Sequence, residues 1–152
     1  MLQLCIEGIR RNSQYRHQII VHVNEGADGT LDWINQQPDI DFTYSRNNIG
    51  VCYALNIART LMTTDYLLYM NDDMYVCPGW DSALREEIEQ IGHPYFFLSG
   101  TAIEAVPQSN CSIKGNYGTV VHDFKQDQLL TEFASLPMPD WQGATWPPNV
   151  VH

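Results

Sequence analysis

Between residues 18 and 70 the apolar pattern switches repeatedly between the two-residue period of a strand and the 3.6-residue period of a helix. Residues 18–24, with Ile19, Ile20, Val21 and Val23, are a β-branched run that reads as a buried strand. A helix is expected from Asp28-Gly29-Thr30 through about Gln36, with Asp28 or Thr30 as its N-cap. Residues 40–45 alternate as a half-exposed strand. Val51, Ala54, Leu55, Ala58, Leu61 and Met62 then form the apolar stripe of a longer helix. Tyr66 to Met70 are apolar or aromatic throughout, which predicts another buried strand. Strands alternating with helices imply an α/β fold, a mostly parallel sheet with helices on both faces. Right-handed crossovers bring the carboxyl ends of such strands to one edge, where ligands bind. Polar clusters stand at those ends: Asn24-Glu25, Arg46-Asn47-Asn48 and Asn71-Asp72-Asp73.

The flanking regions carry weaker signals. Leu2, Ile6 and Ile9 recur at helical spacing over the first dozen residues. Pro78-Gly79 breaks the chain before a helix expected over residues 80–91, and Tyr95 to Ser99 read as a further strand. A helix over 126–135 and a Pro/Trp-rich tail complete a single expected domain spanning residues 1–152.

Eight Lys and Arg against 18 Asp and Glu give a net charge of −10. No basic patch large enough for a nucleic-acid backbone can be built from so few cations. An acidic protein that binds a polyanion such as a nucleotide diphosphate needs a divalent cation or a local cluster of donors to do so. The cysteines are widely spaced and the histidines form no His-x-x-x-His pattern, so a zinc site is not expected. Reduced thiols and the lack of a signal peptide or a transmembrane-length apolar run fit a cytoplasmic chain, or one peripheral at a membrane through other parts.

Two adjacent carboxylates at a strand end repel each other, and a cation normally compensates them. Hard oxygen ligands suit Mg²⁺ or Mn²⁺. Solvated loop carboxylates that cap the next helix are the competing reading of the dipeptide alone. The wider sequence adds an ordered set of motifs. Asn24-Glu-Gly-Ala-Asp28-Gly29-Thr30 is followed by Asn48-Ile-Gly50-x-x-x-Ala54-x-Asn56, then by Asp72-Asp73-Met-Tyr-Val-Cys-Pro78-Gly79-Trp80. Taken together they resemble the family 2 glycosyltransferases, whose fold is GT-A.

The resemblance implies a metal-dependent enzyme that transfers a sugar, of the hexosyl type, from a nucleoside-diphosphate sugar to an acceptor hydroxyl with inversion. It implies a nucleotide-sugar site comprising Asn24, Glu25, Arg46, Asn48, Gly50 and Asp72. Asp73 becomes the metal ligand, with Asp72 directed at the ribose or the metal shell. Asn24 stands where many members have an Asp that recognises uracil. Asp28 is read as a helix cap sooner than a ligand contact, and Asn56 as a structural hydrogen-bonder. Trp141, Trp146 and Pro147-Pro148-Asn149 either wall the sugar or acceptor region or merely cover the sheet. The His122-Asp123 dipeptide is too unspecific to be given a role.

The family pattern also implies an incomplete domain. Its first strand would precede residue 1, between the strands at 18–24 and 66–70, and the general base would lie beyond His152. A chain lacking that strand is expected to be less stable than an intact domain of its size. The alternatives are a non-catalytic nucleotide-sugar or carbohydrate-binding module, and a nucleotidyltransferase on a related sheet.

Overall fold

Two parallel ladders and five helices order the chain in a computed structural model that describes residues 1–107 and 112–136. Trp141, Trp146 and Pro147-Pro148-Asn149 fall outside the described residues. The chain divides into two compact units, Arg16–Met70 and Met1–Tyr15 with Asn71–His152.

In the Arg16–Met70 unit, β1 (Ile19–Asn24) pairs in parallel with β2 (Ile40–Ser45), Ile19 opposite Ile40 and Asn24 opposite Ser45. The connection carries a short helix, α2 (Thr30–Ile34). Its N-cap is Gly29, in the left-handed region at φ 85°, and not Asp28 or Thr30 as expected, because glycine takes that angle at no steric cost. Asp28 Oδ1 accepts the Thr30 N–H at 3.1 Å across the turn that precedes the helix. Hydrogen bonds from the Thr30 side chain and backbone hold the Asp28 carboxyl below the usual carboxylate range. The next helix, α3 (Gly50–Ala58), packs on both strands and continues as a 3-10 turn, Arg59–Leu61. The unit buries Val23, Ile34, Ile40 and Ala54. Each such side chain withdrawn from water contributes about 1–3 kcal/mol before entropy is counted.

Gln18 closes this βαβ unit at its other end. Its amide donates to Asp41 Oδ2 (2.7 Å) and to the Leu61 carbonyl (2.9 Å). Its carbonyl oxygen accepts from the Thr63 N–H at 2.9 Å and the Thr63 hydroxyl at 3.0 Å. One side chain thus joins the start of β1 to the exit from α3.

The second unit begins with α1 (Leu2–Asn12), which buries Cys5, Ile6 and Gly8. The chain returns at Asn71, passes through the acidic pair and enters α4 (Trp80–Ile91), whose bounds match the expected helix. Two three-residue strands, β3 (Ala102–Glu104) and β4 (Ser112–Lys114), pair in parallel. A 3-10 turn (Val121–Asp123), α5 (Gln126–Glu132) and a second 3-10 turn (Phe133–Ser135) come after them. Cys5, Ile6, Val76, Ile113, Tyr117 and Leu129 form the core here.

Four expectations need correction. Tyr66–Met70 is not a strand, and Tyr66, Leu67, Leu68 and Tyr69 are exposed. Tyr95–Ser99 is not a strand either, and Phe97 is 97% exposed. Apolar composition supplies only a propensity; a strand forms when a neighbouring ladder satisfies its backbone. Among the described residues the ladders are β1–β2 and β3–β4 alone. The parallel sheet is therefore smaller than the pattern implies. The α3 stripe is also less buried than expected, with Ala54 inside and Val51 60% exposed.

Candidate functional site

The carboxyl end of β1 is organised by one amide. Asn24 Oδ1 accepts the Ser45 hydroxyl at 3.0 Å and the Ile49 backbone N–H at 3.1 Å. The amide therefore ties β1 to β2 and to the start of α3. A backbone N–H can only donate, so the Ile49 contact fixes which end of the amide is the oxygen. The Nδ2 group has no partner among the described residues and is left as a donor. His22 extends this network, with Nδ1 2.7 Å from Thr43 Oγ1 and Nε2 3.1 Å from Ser45 Oγ.

Glu25 comes next in the left-handed region, φ 62°, its N–H donating to the Ser45 carbonyl at 2.9 Å. That conformation costs a non-glycine residue about 1–3 kcal/mol, and such strain concentrates at ligand-facing turns. Asn48 Oδ1 accepts the Gly50 N–H at 2.9 Å, and Gly50 itself has φ 75°. A Cβ on Gly50 would meet no protein atom within 4 Å. The glycine is needed here for its backbone angle and not to relieve crowding by the protein. Arg46 is exposed. Asn24, Glu25, Arg46, Asn48 and Gly50 thus cluster at one end of a single βαβ unit. Asn56 is exposed, with no side-chain hydrogen bond among the described residues.

Asp72 and Asp73 belong to the other unit. Both are exposed, and neither side chain forms a hydrogen bond or salt bridge among the described residues. Asp73 lines a cavity of about 210 Å³ together with Leu4, Cys5, Tyr75, Thr119 and Val121. Burial, reinforced by the negative charges of Asp72 and Asp73, pushes the Cys5 thiol up to about 11. Cys5 is the neutral floor of this acidic corner.

The segment after the acidic pair is clamped to the end of α1. Asn12 Nδ2 donates to the Val76 carbonyl at 2.7 Å and to Tyr75 Oη at 3.2 Å. The Trp80 indole N–H donates to Ser13 Oγ at 3.0 Å, and the Gly79 N–H to the Asn12 carbonyl at 3.2 Å. Gly8 lets the Tyr75 ring approach, since a Cβ there would lie 3.0 Å from Tyr75 Cδ2. The sequence reading missed Asn12, Ser13 and Asp81 as supports of this loop. Their partners are 63 to 67 residues away, so no local pattern announces them.

A divalent ion fits the exposed pair chemically. The carboxylates have no cation partner among the described residues, and Mg²⁺-type sites use one or two carboxylates plus substrate phosphates and waters. No cluster of three or more His, Cys, Asp or Glu side chains poised for a metal occurs among the described residues. The ion would therefore take much of its shell from the ligand.

The sequence model of glycosyl transferase family 2 matches residues 1–128. The chain belongs to that family. Comparison with curated proteins and with solved structures gives no match. Membership assigns glycosyl transfer to this protein and an α/β framework to its fold. Accordingly, β1, α2, β2 and α3 of the glycosyltransferase succeed one another as a parallel βαβ unit and its next helix. No helix among the described residues is long and apolar enough to cross a membrane.

Proposed function

We propose that this glycosyltransferase binds a nucleoside-diphosphate sugar through a Mg²⁺ or Mn²⁺ ion held by Asp73, with Asp72 on the metal shell or the ribose. The observation that carries this reading is the Asp73 carboxylate, exposed on a cavity wall and unneutralised among the described residues. The ion would stabilise the negative charge that develops on the leaving diphosphate. The chain's own part is to hold two carboxylates on a loop clamped to α1, so that little reorganisation accompanies binding. Asn24, Glu25, Arg46, Asn48 and Gly50 are proposed to contact the nucleotide, with the Asn24 Nδ2 donating to an acceptor on the base. The reaction is proposed to be hexosyl transfer to an acceptor hydroxyl with inversion.

Titration calorimetry with UDP-glucose and GDP-mannose, with Mn²⁺ and again with EDTA, tests the reading. Binding should require the ion, and Asp73→Ala should weaken it by roughly tenfold or more. Equal affinity with EDTA, or an unaffected Asp73→Ala variant, would sink it.

A further inference from the structure

We propose that Asp123 is a positioning residue whose carboxylate fixes the wall of the Asp73 cavity, so that it governs which sugar fits beside the diphosphate. The inference deepens the reading of Asp73 as the donor's metal ligand and rests on it.

Residues 117–125 form a closed loop. The Lys125 N–H donates to the Tyr117 carbonyl at 2.7 Å, drawing the two ends together. Inside it, Asp123 Oδ1 accepts the N–H groups of Thr119 at 2.8 Å and Val120 at 2.9 Å. The Asp123 N–H returns a bond to the Val120 carbonyl at 3.2 Å. Gly118 adopts φ 119°, and a Cβ there would lie 2.7 Å from both the Asp123 carbonyl oxygen and Oδ1. Only glycine lets the carboxylate sit this close to the turn.

The consecutive residues Gly118, Thr119, Val120 and Val121 line the same cavity as Asp73, as does Phe124. Because Asp123 occupies the N–H groups of Thr119 and Val120, those donors are already engaged where Val120 and Val121 line the cavity. At about 210 Å³ the cavity is smaller than the ~300–1,000 Å³ that encloses a whole drug-sized ligand. It takes one moiety of the donor. A metal-bound diphosphate is the polar part; the C–H face of a sugar ring suits the valine and phenylalanine wall. The loop should therefore bear on the sugar and hardly on the nucleotide.

Calorimetry with UDP-glucose against UDP, and GDP-mannose against GDP, in Mn²⁺, separates these contributions. Asp123→Ala should weaken the sugar nucleotide by roughly tenfold and its parent diphosphate by less than about twofold. Asp123→Asn retains an acceptor oxygen and should stay near wild type. Val121→Trp, which changes a side chain that takes no part in the loop's hydrogen bonds, should weaken the sugar nucleotide selectively without lowering the melting temperature, and it decides the matter if Asp123→Ala does not fold. Equal losses on both probes, or wild-type binding in both Asp123→Ala and Val121→Trp, would overturn the proposal while leaving Asp73 intact. Failure of the wild type to bind any probe, or binding that survives Asp73→Ala, would overturn the Asp73 reading and this one with it.

Discussion

Asp81 Oδ2 accepts the backbone N–H of Gln14 at 2.8 Å, and the same oxygen accepts that of Tyr15 at 2.8 Å. Asp81 is 5% exposed and lies in the first turn of α4, and the backbone donors that answer this buried carboxylate come from Gln14 and Tyr15, just beyond the end of α1. Its other oxygen accepts the Ser82 N–H at 3.0 Å. The contact terminates α1 and orients the segment that carries the acidic pair.

Asp81→Ala leaves those N–H groups without their acceptor. A loss of about 2–4 kcal/mol is expected. Asp81→Asn keeps a carbonyl oxygen and should lose roughly half as much. Urea unfolding of both variants checks the order; equal stability of Asp81→Ala and wild type would contradict it.

Asn24 can be tested in the same way at the end of β1. Asn24→Asp preserves both accepted hydrogen bonds and removes the donating Nδ2. Asn24→Ala removes the tie to Ser45 and Ile49 and should cost about 1–2 kcal/mol. If Nδ2 also meets the base, Asn24→Asp should keep its melting temperature and still weaken nucleotide binding. A stable Asn24→Asp variant with unchanged binding would confine Asn24 to its structural tie.

Two apolar residues in the same unit should respond very differently to truncation. Ile34 is 1% exposed, and Ile34→Ala should cost about 2–5 kcal/mol. Leu67 is 48% exposed, and Leu67→Ala should cost less than about 1 kcal/mol. Paired thermal melts give the comparison. Similar losses at both positions would mean that Leu67 is packed in solution.

Acid should loosen the loop around Asp123. Backbone hydrogen bonds from Val120 and Thr119 hold this carboxyl below its ordinary value of 3.8. A folded-state pKa below the unfolded one stabilises the loop above the unfolded value, and that contribution fades as pH falls through the folded value. Amide exchange at Thr119 and Val120 should stay slow, relative to intrinsic rates, at neutral pH and accelerate below about pH 4. Exchange protection that does not change through that range would contradict the assignment.

The sequence was most legible where one segment carries its own instructions. Asp28-Gly29-Thr30 announces a helix start, Pro78-Gly79 announces another, and the β-branched run at Ile19–Val23 finds a neighbour in Ile40–Ser45 of the same register. Tyr66–Met70 and Tyr95–Ser99 carry the same kind of apolar signal without a strand to match, because composition does not say which ladder is beside a segment. The candidate site divides similarly. Asp72-Asp73 stands out as a pair, and Asn48 and Gly50 as a helix start. Asn12, Asp81 and Asp123 do not, since each acts by reaching another backbone. Asp123 left one clue in Gly118, which stands five residues before it and gives it room.

The division of the chain sets an order of assembly. Arg16–Met70 is continuous in sequence, so it can form as soon as it leaves the ribosome. The helix at Leu2–Asn12 is made earlier but must wait, because Asn12 and Gln14 bond to Val76 and Asp81, 64 and 67 residues later. During that interval its apolar face has no partner from its own unit, and it is then that a chaperone would find it. Nascent-chain arrest before and after residue 81 should reveal that window. The carboxylates at Asp72 and Asp73 gain their fixed setting only when it closes.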